Sequence, residues 1–274
     1  MRATMRLDPI SPATEARALV RARTLMAHRT PGGSAVTDAA GIDRVAMPVP
    51  MPTMSGLFLT NESVDPDGLR EAADWFVGRA RPWSISVVGA VAPGVEALAG
   101  SLGFERHVEP TLVAPLQPDQ SRTGSTGTAG EEGDQYRRVQ TADDRAVWIR
   151  TCDAAFGLPD GTSAPLLTAE LLEDDAVRAY LVLHGGSVVG TACTVLDAAG
   201  TIGMFCIATL PEVRGRGVGS RLMTFLLDDG AERGATSAYL QSLPRARPFY
   251  ERVGFVDGHQ DVTTFVPTNQ PLPA

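Results

Sequence analysis

The chain has 274 residues, room for two domains of about 150 residues or one large one, and its 43% hydrophobic and 20% charged content is that of a globular protein with a substantial core. Lysine and arginine number 24 against 32 acidic residues, a net charge of -8 that argues against nucleic acid, whose backbone asks for clustered cations. Three widely spaced cysteines (Cys152, Cys193, Cys206) suggest neither a disulfide framework nor a metal site, and with no secretory core in Met1–Asp8 and no run of about 18 apolar residues for a membrane span, a cytoplasmic protein is expected.

In the first half, a helical pattern over 67–79 is followed by a strand-like run over 83–88. A short helical segment over 95–102 leads into Gly103-Phe104. From Gln117 to Gln135 the composition turns to Ser, Thr and Gly, which bury too little surface to offset their ordering entropy. This stretch reads as a linker, giving domains at 1–117 and 135–268, a linker over 118–134 and a tail over 269–274.

The second half opens with a short strand at 136–139 and a helix N-capped by Thr141 that runs to Phe156. A helix is expected over 165–173. Apolar, β-branched runs at 179–184 and 188–196 flank Gly185-Gly186, a hairpin signal. A third strand over 202–210 completes an antiparallel meander. An amphipathic helix over 220–233, a strand over 237–241, a short helix over 248–253 and a closing hairpin over 254–266 follow. Helix, strand, short helix and Gly-Phe recur in one order about 150 residues apart, which marks a duplicated α+β fold. Each half is expected to be a mixed, mostly antiparallel sheet flanked by helices.

Arg214-Gly215-Arg216-Gly217-Val218-Gly219 lies between a strand and a helix. Glycines there let backbone N–H groups approach a ligand, and the helix N-terminus adds partial positive charge, so a pyrophosphate suits the loop. The Gly-Lys-Ser/Thr of a Walker loop is missing, and Ser220 stands at the third glycine of a dinucleotide fingerprint. Coenzyme A, and a plain turn with its arginines in solvent, are the readings left.

Arg214, Gly217 and Gly219 match the acyl-CoA signature of the GNAT superfamily, the CoA-dependent N-acyltransferases: Arg or Gln, two residues, Gly, one residue, Gly or Ala. Arg247-Pro248-Phe249-Tyr250-Glu251-Arg252-Val253-Gly254-Phe255 resembles that family's later helix. The resemblance covers about residues 135–268; over 1–117 it is a faded copy without the glycine loop. It implies acetyl-CoA as cofactor, bound in a cleft between strands 202–210 and 237–241. The pyrophosphate would lie on the backbone of Arg214, Gly215, Arg216, Gly217, Val218, Gly219 and Ser220, with the pantetheine arm along Ile207, Ala208 and Thr209. Tyr250 would be the general acid for an N-acyl transfer to a small-molecule primary amine by direct attack; as an alternative, Tyr250 is a core aromatic. Tyr136, Trp148 and helix 141–156 would border the acceptor.

The chain departs from the family twice. Strand 202–210 has no acid where a base is common, and Leu243 stands where an Asn is usual. Asp197, Glu170, Glu212 and His184 remain as base candidates. A non-catalytic acyl-CoA sensor and a decarboxylase on the same fold stay open as alternatives. The first half is expected to be catalytically silent, and the tandem to be a monomer, with a dimer as the alternative.

Overall fold

The computed structural model describes residues 11–38, 41–60, 65–79, 82–116 and 133–268. The expected tail and all but the last two residues of the linker lie outside them. The first half runs α1 (Pro12–Arg29), β1 (Ser34–Thr37), β2 (Asp43–Ala46), β3 (Gly56–Leu59), α2 (Pro66–Val77), β4 (Ser84–Val88), α3 (Pro93–Ser101), β5 (Phe104–Glu109) and β6 (Thr111–Pro115). The second runs β7 (Gln135–Arg138), α4 (Ala142–Phe156), α5 (Ala169–Leu172), β8 (Val177–His184), β9 (Ser187–Leu196), β10 (Thr201–Thr209), α6 (Val218–Glu232), β11 (Ser237–Gln241), α7 (Arg247–Arg252), β12 (Val256–Asp257) and β13 (Val262–Pro267).

Local chemistry sets many of these boundaries. The Thr141 side chain accepts from Asp144 N at 3.0 Å, and Gly157 ends α4 in the left-handed conformation. Asp65 and Ser11 cap α2 and α1 in the same way, each followed by a proline suited to the first turn. The helix expected over 165–173 is instead two short pieces, a 3-10 turn at Ala164–Leu166 and α5. Thr168 interrupts it, because its hydroxyl accepts from Leu171 N and starts a new cap.

Two sheets result, ordered β1-β2-β3-β4-β13-β5 and β12-β6-β11-β10-β9-β8-β7. All pairings are antiparallel except β3–β4 and β10–β11, each joined through one helix. Aligning β3 with β10 and β4 with β11 brings the two orders into register, as a duplication requires.

The halves are not self-contained. The expected hairpin over 254–266 does not form: β12 pairs with β6, and β13 crosses to the other sheet, between β4 and β5. Reciprocally, β6 of the first half pairs with β11 of the second. β13 is buried nearly throughout, so its backbone groups need a strand on either side, and β4 and β5 supply both. The division at 117 and 135 thus runs across both sheets. Cores are shared as well. Val20, Met26, Val45 and Phe58 pack in one cluster with Trp148, Leu167, Leu181 and Cys193. A smaller cluster joins Ala18 and Leu19 of α1 to Val88, Val113, Tyr239 and Val262.

Candidate active site

Two features of β10 open a cleft in the second sheet. Its pairing with the parallel β11 stops at Gly203–Tyr239. A side chain at Gly203 would stand 2.7 Å from the Tyr239 hydroxyl, so glycine lets that ring pass the strand. Next, the register with β9 shifts between Phe205 and Ala208, where Cys206 adopts φ 50°. A left-handed non-glycine residue costs about 1–2 kcal/mol, and the Thr191 hydroxyl holds the turned Cys206 carbonyl by donating to it at 3.0 Å. The bulge bends β10 away from β11, and the space between them is a cleft of about 1070 Å³.

The glycine loop forms one wall. Gly215 and Gly217 take φ 78° and 80°, and Gly217 starts α6 with no side chain capping the helix. The amides of Val218, Gly219 and Ser220 have no intrahelical partner and find no other acceptor among the described residues. The helix dipole favours negative charge at this end. Gly219 also brings α6 close to α7, where a Cβ would stand 3.3 Å from the Phe249 ring.

The two arginines of the loop play different parts. Arg214 turns back: its Nε donates to Thr209 O at 3.1 Å and its Nη2 to Ala155 O at 2.8 Å. It fixes the loop's path, and its side chain is committed to that task. Arg216 is exposed and outside the cleft lining; its carbonyl accepts from Arg221 Nη1 at 3.2 Å. Arg221 is anchored by Asp134, which it meets at 2.7 Å and whose other oxygen lies 2.7 Å from His184 Nδ1. Burial pushes the Asp134 carboxyl up, but the bonds from Arg221 and His184 outweigh it and hold the group below the usual carboxylate range.

Ile207, Ala208, Thr209, Arg214, Gly215, Gly217, Val218, Gly219, Ser220 and Tyr250 all line the cleft; of the residues the resemblance assigns to cofactor binding and proton donation, Arg216 alone is absent from its walls. Tyr250 packs edge-on against Phe249 and Phe255, with ring centroids 4.9 and 5.9 Å away, and so contributes to the core as well. Its hydroxyl has no hydrogen-bond partner among the described residues. Desolvation pushes its pKa up to about 12, so the phenol keeps its proton at neutral pH.

None of the candidate bases reaches the cleft. Asp197 accepts from Ala199 N and Thr201 N and pairs with Arg21, which makes it a turn-forming residue. His184 is held by Asp134, and Glu170 and Glu212 are exposed outside the lining. Trp148 is fully buried, donating to Ala192 O at 3.1 Å, and Tyr136 stacks on Phe225; only the end of helix α4, from Ala154 to Phe156, borders the cleft. The first half, expected to be silent, supplies Arg23, Thr53 and Glu109 to the lining. No local pattern announces these three: Glu109 sits at the end of β5, which pairs with β13 of the other half, and Arg23 and Thr53 come from α1 and the turn before β3.

Residues 145–255 match the family model described as the Acetyltransferase (GNAT) family. Among solved structures, a GCN5-related N-acetyltransferase from Kribbella flavida is similar over 92% of this chain and 95% of its own, with 19% identity and a TM-score of 0.62. A functionally unknown conserved protein from Staphylococcus epidermidis ATCC 12228 is similar over 85% of this chain and 93% of its own, at 14% identity and a TM-score of 0.58. A GCN5-related N-acetyltransferase from Sphaerobacter thermophilus is similar over 72% of this chain and 65% of its own, at 19% identity and a TM-score of 0.51. No curated protein matches the chain. Among the described residues no helix is long and apolar enough to cross a membrane.

Proposed function

The chain carries an acetyltransferase domain of the GNAT family over residues 145–255, and on that premise we propose that it moves an acetyl or short acyl group from acyl-CoA to a primary amine of a small molecule. The observation that carries this reading is one of position. Unpartnered helix amides, a bulged strand with free backbone and a protonated phenol all face one cleft. These residues fit coenzyme A: a chain of amides from Gly217 to Ser220 suits a pyrophosphate, and the strand edge at Ile207–Thr209 suits the amide-bearing pantetheine arm.

Acyl-CoA supplies an activated thioester carbonyl. The backbone N–H groups beyond the Cys206 bulge would draw negative charge onto its oxygen, as donors fixed in advance do. The acceptor nitrogen would then displace the sulfur directly, with no covalent bond to the enzyme. Tyr250 would give the departing sulfur its proton, a role for which a phenol that stays protonated at neutral pH is suited.

Tyr250→Phe keeps the ring contacts with Phe249 and Phe255 and removes only the hydroxyl. Turnover is expected to fall about 10²–10⁴-fold with acetyl-CoA binding unchanged, followed by calorimetry and release of free thiol. Unchanged turnover would remove Tyr250 from the mechanism and return it to the core.

A further inference from the structure

Glu109 is the only Asp, Glu or His side chain among the described residues that line the cleft. It closes β5, and it is there because β13 of the other half pairs with that strand, Val262 opposite Glu109. The side chain is half-buried, and its carboxyl makes no hydrogen bond or ion pair among the described residues. A carboxylate left bare in a partly desolvated place is costly, and such exceptions to polar pairing concentrate where chemistry is done. The groups whose charge it feels are Arg23 from α1 and His107 on its own strand. Arg23 is fixed, donating to Thr53 O at 2.7 Å and to Met54 Sδ at 2.8 Å, so it sets a field near Glu109 without closing an ion pair.

An amine acceptor reaches neutral water as an ammonium ion and must lose a proton before its lone pair can react. The second half brings no carboxylate or imidazole to the cleft to take it. We propose that Glu109 is the proton acceptor for the incoming amine, so that the two halves build one catalytic cleft between them. The proposal rests on the acyl-transfer reading above.

The protons balance as follows. The ammonium gives one to the Glu109 carboxylate, which releases it to solvent. The freed lone pair forms the C–N bond while the C–S bond breaks. Tyr250 protonates the sulfur and is restored by the second nitrogen proton, so one amide, one thiol and one proton leave.

The test uses the full chain, acetyl-CoA and three primary amines as probes: ethanolamine, benzylamine and glycinamide. Glu109→Gln is expected to bind acetyl-CoA as the wild type does, while kcat/KM for the amine falls about 10²–10⁴-fold. Its rate should climb with pH towards the amine's own pKa, so the deficit narrows in alkali. Glu109→Ala should recover part of its rate on adding formate, a rescue that a merely structural role would not allow. A Gln variant with wild-type kcat/KM and pH profile would overturn the proposal and leave the transferase reading standing. So would a slow Gln variant that has lost acetyl-CoA binding, beside an Ala variant that formate does not rescue. A wild type that binds acetyl-CoA and acetylates none of the three amines would overturn both readings.

Discussion

Tyr250 and Glu109 are displaced by one cause, burial beside the cleft, and the displacement acts differently on each. It keeps the phenol protonated at every working pH, whereas it makes the carboxylate reluctant to ionise; Arg23 and His107 oppose that only in part. A carboxyl whose folded pKa lies above its unfolded value gives its full stability below the unfolded pKa, near 4.3 for glutamate, and loses it as pH rises through the folded pKa. Glu109→Gln removes that loss. Its thermal midpoint is therefore expected above the wild type's at about pH 8 and close to it near pH 4, by scanning calorimetry at both. A variant less stable than wild type at the higher pH would show that the carboxylate is held by favourable contacts. At this scale the positions of Gly217, Gly219 and Tyr250 along the cleft follow from local signals, glycines before a helix and an aromatic pair after a proline. Two things were not: Arg214 spends its guanidinium on the carbonyls of Thr209 and Ala155, and Glu109 meets the cleft only through long-range pairing.

Among the elements, the strand–loop–helix unit from β10 to α6 does most to make a site. Its strand is bent by the Cys206 bulge, and its helix starts without a cap. Both are exceptions to ordinary rules, and both border the same opening. Gly217→Glu challenges the unit in two ways. Glutamate at φ 80° is strained, and its Cβ would stand 2.7 Å from Arg221 Nη1, which braces the loop through the Arg216 carbonyl. Its charge would also occupy the place where an anion is expected. The helices were largely legible, since α4 carries its Thr141 cap and α6 its apolar stripe in the sequence. The bulge was not, because neither Phe205 nor Cys206 looks unlike any other residue of an apolar strand. The break in helix 165–173 was missed for a related reason: the Thr168 hydroxyl competes with the helix it sits in.

At the largest scale the chain forms two sheets of matching strand order that trade their last strands. The repeated helix, strand and Gly-Phe point to the matching order, but the exchange could not be read, since nothing local in the apolar strands β6 and β13 names the sheet each joins. The exchange has a consequence for truncation. Removing residues 1–116 takes β6 from between β11 and β12, leaves β13 with no sheet to join, and removes Arg23 and Glu109 from the cleft. Such a fragment is expected to be insoluble or unfolded, by circular dichroism and gel filtration. A folded fragment would mean that β13 can return to the place β6 now fills. Whether the glycine loop and the bulged strand hold acyl-CoA is decided by calorimetric titration with acetyl-CoA, wild type beside Gly217→Glu. Saturable binding at one site, lost in the variant while its thermal unfolding stays cooperative, is the expected result. No heat from the wild type with either acetyl-CoA or free CoA would contradict it, and the loop would then be only a turn between a strand and a helix.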